Sequence, residues 1–173
     1  YQEPTRSEAD DVIGACGLVA VNGGTIALDT SVVSTDSEKS VKCTVPAGNS
    51  GVWWNYDISL VEVNGSAANL SGKTITFDLK IVGSMSLVGF TVEGNGAYAK
   101  PDGEDYVWTN LTDGWGADKG WVVTAMDNGW FRVSFTADTK FSGCSGSVTK
   151  LRFLVNPSTA DEASMYIDNL YLA

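Results

Sequence analysis

Six tryptophans are distributed along this sequence of 173 residues, several of them beside amide, carboxylate or guanidinium side chains: Trp53 and Trp54 precede Asn55, and Trp130 lies two residues before Arg132. A flat indole covers an apolar face of C–H groups, while a polar side chain at its edge can hydrogen-bond hydroxyls around the rim of the same ring. The chemistry these residue types offer is recognition of an uncharged, hydroxylated ring, a sugar above all. One buried indole face, on the order of 80 Å² at about 25 cal/mol/Å², contributes roughly 2 kcal/mol. A micromolar complex requires about 8 kcal/mol, so two or three such contacts must act together once ordering costs are subtracted.

Strand alternation sorts the tryptophans. In Gly51–Ser59, Val52, Trp54, Tyr56 and Ile58 share one parity and Trp53, Asn55, Asp57 and Ser59 the other, which predicts Trp53 on the solvent face and Trp54 in the core. A bulge, which Gly51 permits, would turn both outward and keep Trp54 among the ligand-contact candidates. Tyr106 and Trp108 share a parity, and Trp130 falls with Arg132 and Ser134 on the polar side of its run. Trp53, Trp108 and Trp130 are therefore the expected platform, and Trp115 and Trp121, in or beside a Gly-rich loop, its rim. Asn55, Asp78, Glu93 and Arg132 are the expected polar partners. Against each stands ordinary packing, because a single Trp in a β-sandwich is more often buried than bound to ligand.

Other chemistries are excluded or left with little support. With no His, a Ser-His-Asp triad, a His-ligated metal and a His general base are all ruled out. Cys16, Cys43 and Cys144 form no Cys-x-x-Cys pair, so they leave either one disulfide with a free thiol or three small apolar core residues. A sandwich glycosidase needs two carboxylates about 5 to 9.5 Å apart across a cleft. Glu62, Glu93 and Glu104 are available, but no Glu-x-Asp-x-Glu run places acids on one strand face, and the chain is expected not to be an enzyme. The net charge of −10, with only 11 Lys and Arg, argues against nucleic acid and against polyuronates, and favours a neutral polymer. No run reaches the roughly 20 apolar residues that span a bilayer. The abrupt, leaderless start at Tyr1 reads as a module cut from a longer secreted protein.

These residues must be positioned by strands. Ser40–Val45 alternates Val41, Cys43 and Val45 against Ser40, Lys42 and Thr44. In Lys73–Ile81, Ile75, Phe77, Leu79 and Ile81 face one way and Thr74, Thr76, Asp78 and Lys80 the other. After the turn signal Asp127-Asn128-Gly129, Trp130–Thr136 sends Phe131, Val133 and Phe135 inward. Further strands are expected at Thr25–Leu28, Val52–Val63, Ser86–Val92, Asp105–Thr109, Trp121–Ala125, Lys150–Val155 and Met165–Leu172, with Glu93–Asp105 and Thr112–Gly120 as the long loops and Tyr1–Asp11 as an arm that joins the sheet. About ten short strands, 19 Gly and no long helical pattern predict one all-β domain over residues 1–173, a β-sandwich or jelly roll of two antiparallel sheets.

The closing run Met165-Tyr166-Ile167-Asp168-Asn169-Leu170-Tyr171-Leu172 resembles the last strand of β-jelly-roll carbohydrate-binding modules of plant cell-wall-degrading enzymes. Ser37-Glu38-Lys39-Ser40-Val41-Lys42-Cys43 resembles the entry to their second strand, and Asn128-Gly129-Trp130-Phe131-Arg132-Val133-Ser134 their penultimate hairpin. The resemblance implies a secreted, non-catalytic module that binds neutral β-glucan, xyloglucan, mannan or xylan and targets a covalently linked catalytic or scaffold domain to its substrate, with no nucleic-acid or membrane partner. It also implies one structural calcium, carried over to Glu8 or Asp10, the turn from Asp36 to Lys39, and Asp168. Calcium takes six to eight hard oxygen ligands, and such a site would staple the first and last strands. The alternatives to this reading are a sandwich glycoside hydrolase with a Glu pair and a protein-binding adhesive domain.

Overall fold

The computed structural model describes residues 5–7, 19–21, 24–48, 54–59, 69, 72–94, 97–98, 100–101, 107–109, 121–136, 141–142, 150–157 and 160–172. Alternating apolar residues close two antiparallel sheets on each other. Sheet I contains β1 (Thr5–Ser7), β3 (Thr25–Asp29), β4 (Ser40–Val45), β6 (Thr74–Val82), β11 (Trp121–Ala125), β12 (Phe131–Thr136) and β15 (Ala163–Leu172), in the order β11-β12-β6-β15-β4-β3 with β1 also on β15. Sheet II contains β2 (Val19–Val21), β5 (Trp54–Ser59), β7 (Met85–Gly94), β8 (Ala97–Tyr98), β10 (Val107–Thr109) and β14 (Lys150–Pro157), in the order β10-β7-β14-β5-β2 with β8 on β7. A two-stranded ribbon joins β9 (Lys100–Pro101) to β13 (Phe141–Ser142). Every described pairing is antiparallel, and Thr5–Ser7 of the expected N-terminal arm pairs with Leu170–Leu172, so first and last strands lie side by side.

The core lies where the inner parities meet. Val41, Cys43, Val45, Ile75, Phe77, Leu79, Val133, Met165 and Ile167 from sheet I are buried against Tyr56, Phe153 and Val155 from sheet II. Phe77 and Phe153 meet edge to face across the sandwich, with ring centroids 5.0 Å apart and planes at 81°. The Tyr56 hydroxyl donates to the Thr44 carbonyl at 2.9 Å, so a phenol from one sheet satisfies its polar atom on the other. Cys43 is a free thiol in this core, and burial pushes its pKa well above the ordinary range; Cys16 and Cys144 lie outside the described residues.

Turn chemistry sets the ends of the strands. Asn128 and Gly129 adopt φ of 58° and 76°, the left-handed backbone that a tight hairpin demands, and Met126 N–H donates to the Trp130 carbonyl at 2.8 Å to close β11 on β12. Gly83, at φ 93°, joins β6 to β7 where an added Cβ would lie 3.0 Å from Ala163 Cα, so the hairpin packs backbone to backbone on β15. In β15 the register shifts between Asp168 and Tyr171: Asn169 and Leu170 stand against Phe77 alone, a β-bulge with Asn169 at φ 48°.

Two polar residues on the expected outer parity depart from the alternation. Ser40 and Asp78 are fully buried, because residues 30–39 fold over the outer face of sheet I. There the Ser40 hydroxyl donates to the Val32 carbonyl and the Ser34 hydroxyl donates to Asp78.

Candidate functional site

In sheet II the register sets the outer face row by row. Ala20, Tyr56, Phe153, Phe90 and Val107 stand opposite one another in one row, in which Tyr56 and Phe153 are core residues. The flanking rows have the opposite parity. One runs Val21, Asn55, Leu154, Gly89, Trp108, and the other Val19, Asp57, Arg152, Thr91. Beyond the second lies Ser59, Lys150, Glu93, Tyr98. Asn55, Trp108 and Glu93, distant in sequence, thus occupy positions on one face. Trp54 stands one row away, opposite Val155, at the parity of Tyr56.

Between the Asn55–Trp108 row and the Glu93 row sits a feature absent from the sequence-based candidates. Arg152 Nε and Nη2 donate to the two carboxylate oxygens of Asp57, both at 2.7 Å, in a bidentate pair whose side chains are 12% and 13% exposed. Held in one plane by two parallel hydrogen bonds, such a pair is a rigid polar surface. The parity of Asp57 with Asn55 is readable in the sequence, but its partner lies 95 residues further on.

Asp78, Trp121, Trp130 and Arg132 belong to sheet I, so the expected set does not converge on a single platform. Trp121 stands in the row of Phe135, Ile75 and Leu172, the row of a core residue. The expectation of a solvent-facing Trp130 is corrected. Its parity is the outer one, but it is only 2% exposed and packs edge-on against Tyr166, with ring centroids 6.5 Å apart. Lys42 Nζ lies 5.8 Å from the centre of that Tyr166 ring. Asp78 is corrected likewise. It is 0% exposed, and its oxygens accept from Arg132 Nε (2.8 Å) and Nη2 (2.9 Å), from the Ser34 hydroxyl (2.7 Å) and from Asn169 Nδ2 (2.8 Å), leaving it no face toward a ligand. Trp53, Trp115, Glu8 and Asp10 lie outside the described residues, as do Glu62 and Glu104.

Asp168 stands directly opposite Asp78 in the register, and both are buried. Its Oδ2 accepts the Ser34 N–H at 3.0 Å, and its Oδ1 accepts the Asn169 N–H at 2.8 Å and the Ser37 hydroxyl at 3.0 Å. Burial pushes both carboxyls upward. For Asp78 the hydrogen bonds from Arg132, Ser34 and Asn169, with the Arg132 charge, overcome this and hold it below the ordinary aspartate value. For Asp168 burial prevails over its hydrogen bonds, the negative Asp78 adds to it, and the pKa is raised.

No protein-family model matches the chain, and no curated protein matches it. Solved structures do. A family 27 carbohydrate-binding module of Caldicellulosiruptor saccharolyticus, CBM27-1, in complex with mannohexaose, superposes with a TM-score of 0.59 over 99% of this chain and 97% of its own, at 12% identity. A structure described for the promiscuous specificity of carbohydrate-binding modules of the β-sandwich superfamily gives 0.57 over 99% of this chain, at 14% identity; this chain spans 62% of that one. The fold is that of the β-sandwich carbohydrate-binding modules. An arabinose-bound α-L-arabinofuranosidase, MgGH51, superposes over 99% of this chain and 24% of its own, with a TM-score of 0.56 at 11% identity.

The calcium expected from the module resemblance can be tested on the donor set. The Ser37 hydroxyl lies 2.8 Å from the Lys39 carbonyl and 3.0 Å from Asp168 Oδ1, so a single proton serves two oxygen acceptors. Carbonyl, hydroxyl and buried carboxylate oxygens meeting at one point are the hard donors that calcium takes. Asp36 is in the same turn, exposed and at φ 62°. Among the described residues no three acidic, His or Cys side chains cluster, so a calcium held here would draw on backbone and hydroxyl oxygens beside Asp168.

Proposed function

We propose that this chain is a non-catalytic domain that binds neutral plant cell-wall polysaccharides on the outer face of sheet II, within a secreted protein whose attached catalytic or scaffold domain it holds on substrate. The observation that carries the reading is the register that sets Asn55 and Trp108 in one row beside the oriented Arg152–Asp57 pair, with Glu93 in the row beyond. An aromatic residue for the C–H face of a sugar and fixed polar groups for its hydroxyls are the two things such recognition needs. The net charge of −10 favours a neutral chain, and a mannan-type oligosaccharide occupies one structural neighbour. Trp53, two residues before Asn55 in the sequence, and Trp115, six before Trp121, are proposed to extend the platform.

Affinity gels cast with glucomannan, xyloglucan, mixed-linked β-glucan and xylan test this. Retardation by at least one gel, lost on Trp108→Ala with the melting temperature unchanged, is expected; no retardation by any would overturn it. Sugar release from any of these polymers, abolished by Glu62→Gln or Glu93→Gln, would make the chain a hydrolase instead.

A structural calcium completes the reading, with Asp168, Ser37 and the Lys39 carbonyl as its ligands in the described residues, Asp36 beside them, and Glu8 or Asp10 supplied by the N-terminal segment. It would neutralise the buried Asp168 carboxylate and tie β15 to the turn before β4. Chelation is expected to lower the melting temperature, and calcium to restore it.

A further inference from the structure

The Asp78 cluster is absorbed by neither the polysaccharide face nor the ligands named for calcium, yet it is built with unusual reciprocity. Two residues each clamp both carboxylates. Ser34 gives its N–H to Asp168 Oδ2 and its hydroxyl to Asp78 Oδ2. Asn169 gives its N–H to Asp168 Oδ1 and its side-chain amide to the same Asp78 oxygen. The second clamp exists only because the β15 bulge holds Asn169 at φ 48°, turning an adjacent residue back over Asp168. Asn169 Nδ2 also lies 3.3 Å from the Thr35 carbonyl, which ties the bulge to the turn carrying Ser37 and Lys39. Asp78 itself is fixed by both nitrogens of the Arg132 fork.

We infer that Asp78, anchored by Arg132 and acting through Ser34 and Asn169, is a positioning residue that orients the Asp168 carboxylate and its facing turn for calcium. This rests on the calcium reading above. Removing the clamp frees Asp168 to rotate within its pocket and loosens the turn, while leaving every direct ligand in place. Partners that orient metal ligands characteristically contribute about 10- to 100-fold to metal affinity.

The test is calcium titration by calorimetry on the intact chain, at a temperature where each variant is folded. Ser34→Ala removes only the hydroxyl arm, and Asn169→Gly removes the amide arm while tolerating the positive φ. Each is expected to weaken calcium binding by about tenfold or more, and Asp78→Asn by at least as much. Thr76→Val breaks the 3.1 Å Thr76–Ser134 hydroxyl pair between the same two strands, outside the cluster; it is expected to lower the melting temperature without moving calcium affinity. Wild-type calcium affinity in Ser34→Ala and Asn169→Gly would overturn the positioning role and leave the calcium site standing. Absence of calcium binding by the wild type would overturn both.

Discussion

Arg132–Asp78 in sheet I and Arg152–Asp57 in sheet II are the same interaction built twice. Each joins residues directly opposite on antiparallel neighbours, and each sets arginine Nε and Nη2 on the two oxygens of one carboxylate. Their surroundings differ. In sheet I the carboxylate is sealed while the Arg132 side chain is 43% exposed, and Ser34 and Asn169 add two further donors. In sheet II both partners are exposed to a similar small degree. An identical pair is thus a buried clamp where residues 30–39 cross the sheet, and a polar surface where the register leaves it beside Asn55 and Trp108. What an Arg–Asp pair does depends on which of its members water can reach.

The sharpest way to break this contrast is Asp78→Ala. It strands four donors on three residues at once, and the loss of a buried partner of this kind costs about 3 kcal/mol, the low end of its range because Arg132 can turn to water. Urea denaturation should show that loss; an unchanged midpoint would mean that the cluster holds nothing. Arg152→Ala should be read in binding as well as in stability. About 2 kcal/mol of stability is expected to go, because both partners are largely buried, while polysaccharide affinity falls tenfold or more, equal to about 1.4 kcal/mol. Unchanged retardation in affinity gels would remove the pair from the binding face.

Acid titration of the chelated protein sharpens the comparison further. The folded-state pKa of Asp78 lies below its unfolded value, so its contribution is present above the ordinary aspartate range and is lost as pH falls through the folded value. Asp168 has the opposite sign: its raised pKa favours the fold below the ordinary range, and that contribution is lost as pH rises through the folded value. Asp78→Asn should therefore flatten acid unfolding, and Asp168→Asn should steepen it. The smallest effect belongs to the exposed Thr74–Thr136 hydroxyl pair at 2.9 Å, where Thr74→Ala should change stability by no more than about 0.5 kcal/mol.

Much of the fold was legible. β4 and β11 fall on the expected spans, and β3, β6, β12 and β15 within a few residues of theirs, since a two-residue period against a buried face leaves a local pattern. The short strands β2, β8, β9 and β13 carry too few residues for alternation to register. The candidate site was legible as residue types and parities, but not as sheets. Trp130 was placed on its correct face, yet that face is closed there, and it belongs to the sheet opposite Asn55 and Trp108.

The sequence by itself determined an all-β chain, its turn residues and the parity of each strand, because these depend on neighbours a few residues apart. Only the tertiary structure decided which tryptophans and carboxylates share a face and which are sealed. Asp57 meets an arginine 95 residues away, Asp78 is capped by a serine 44 residues before it, and a single bulge residue turns Asn169 onto it. Burial of a polar-parity position is set by the loop that crosses it, and the pairing of strands distant in sequence decides where that loop lies.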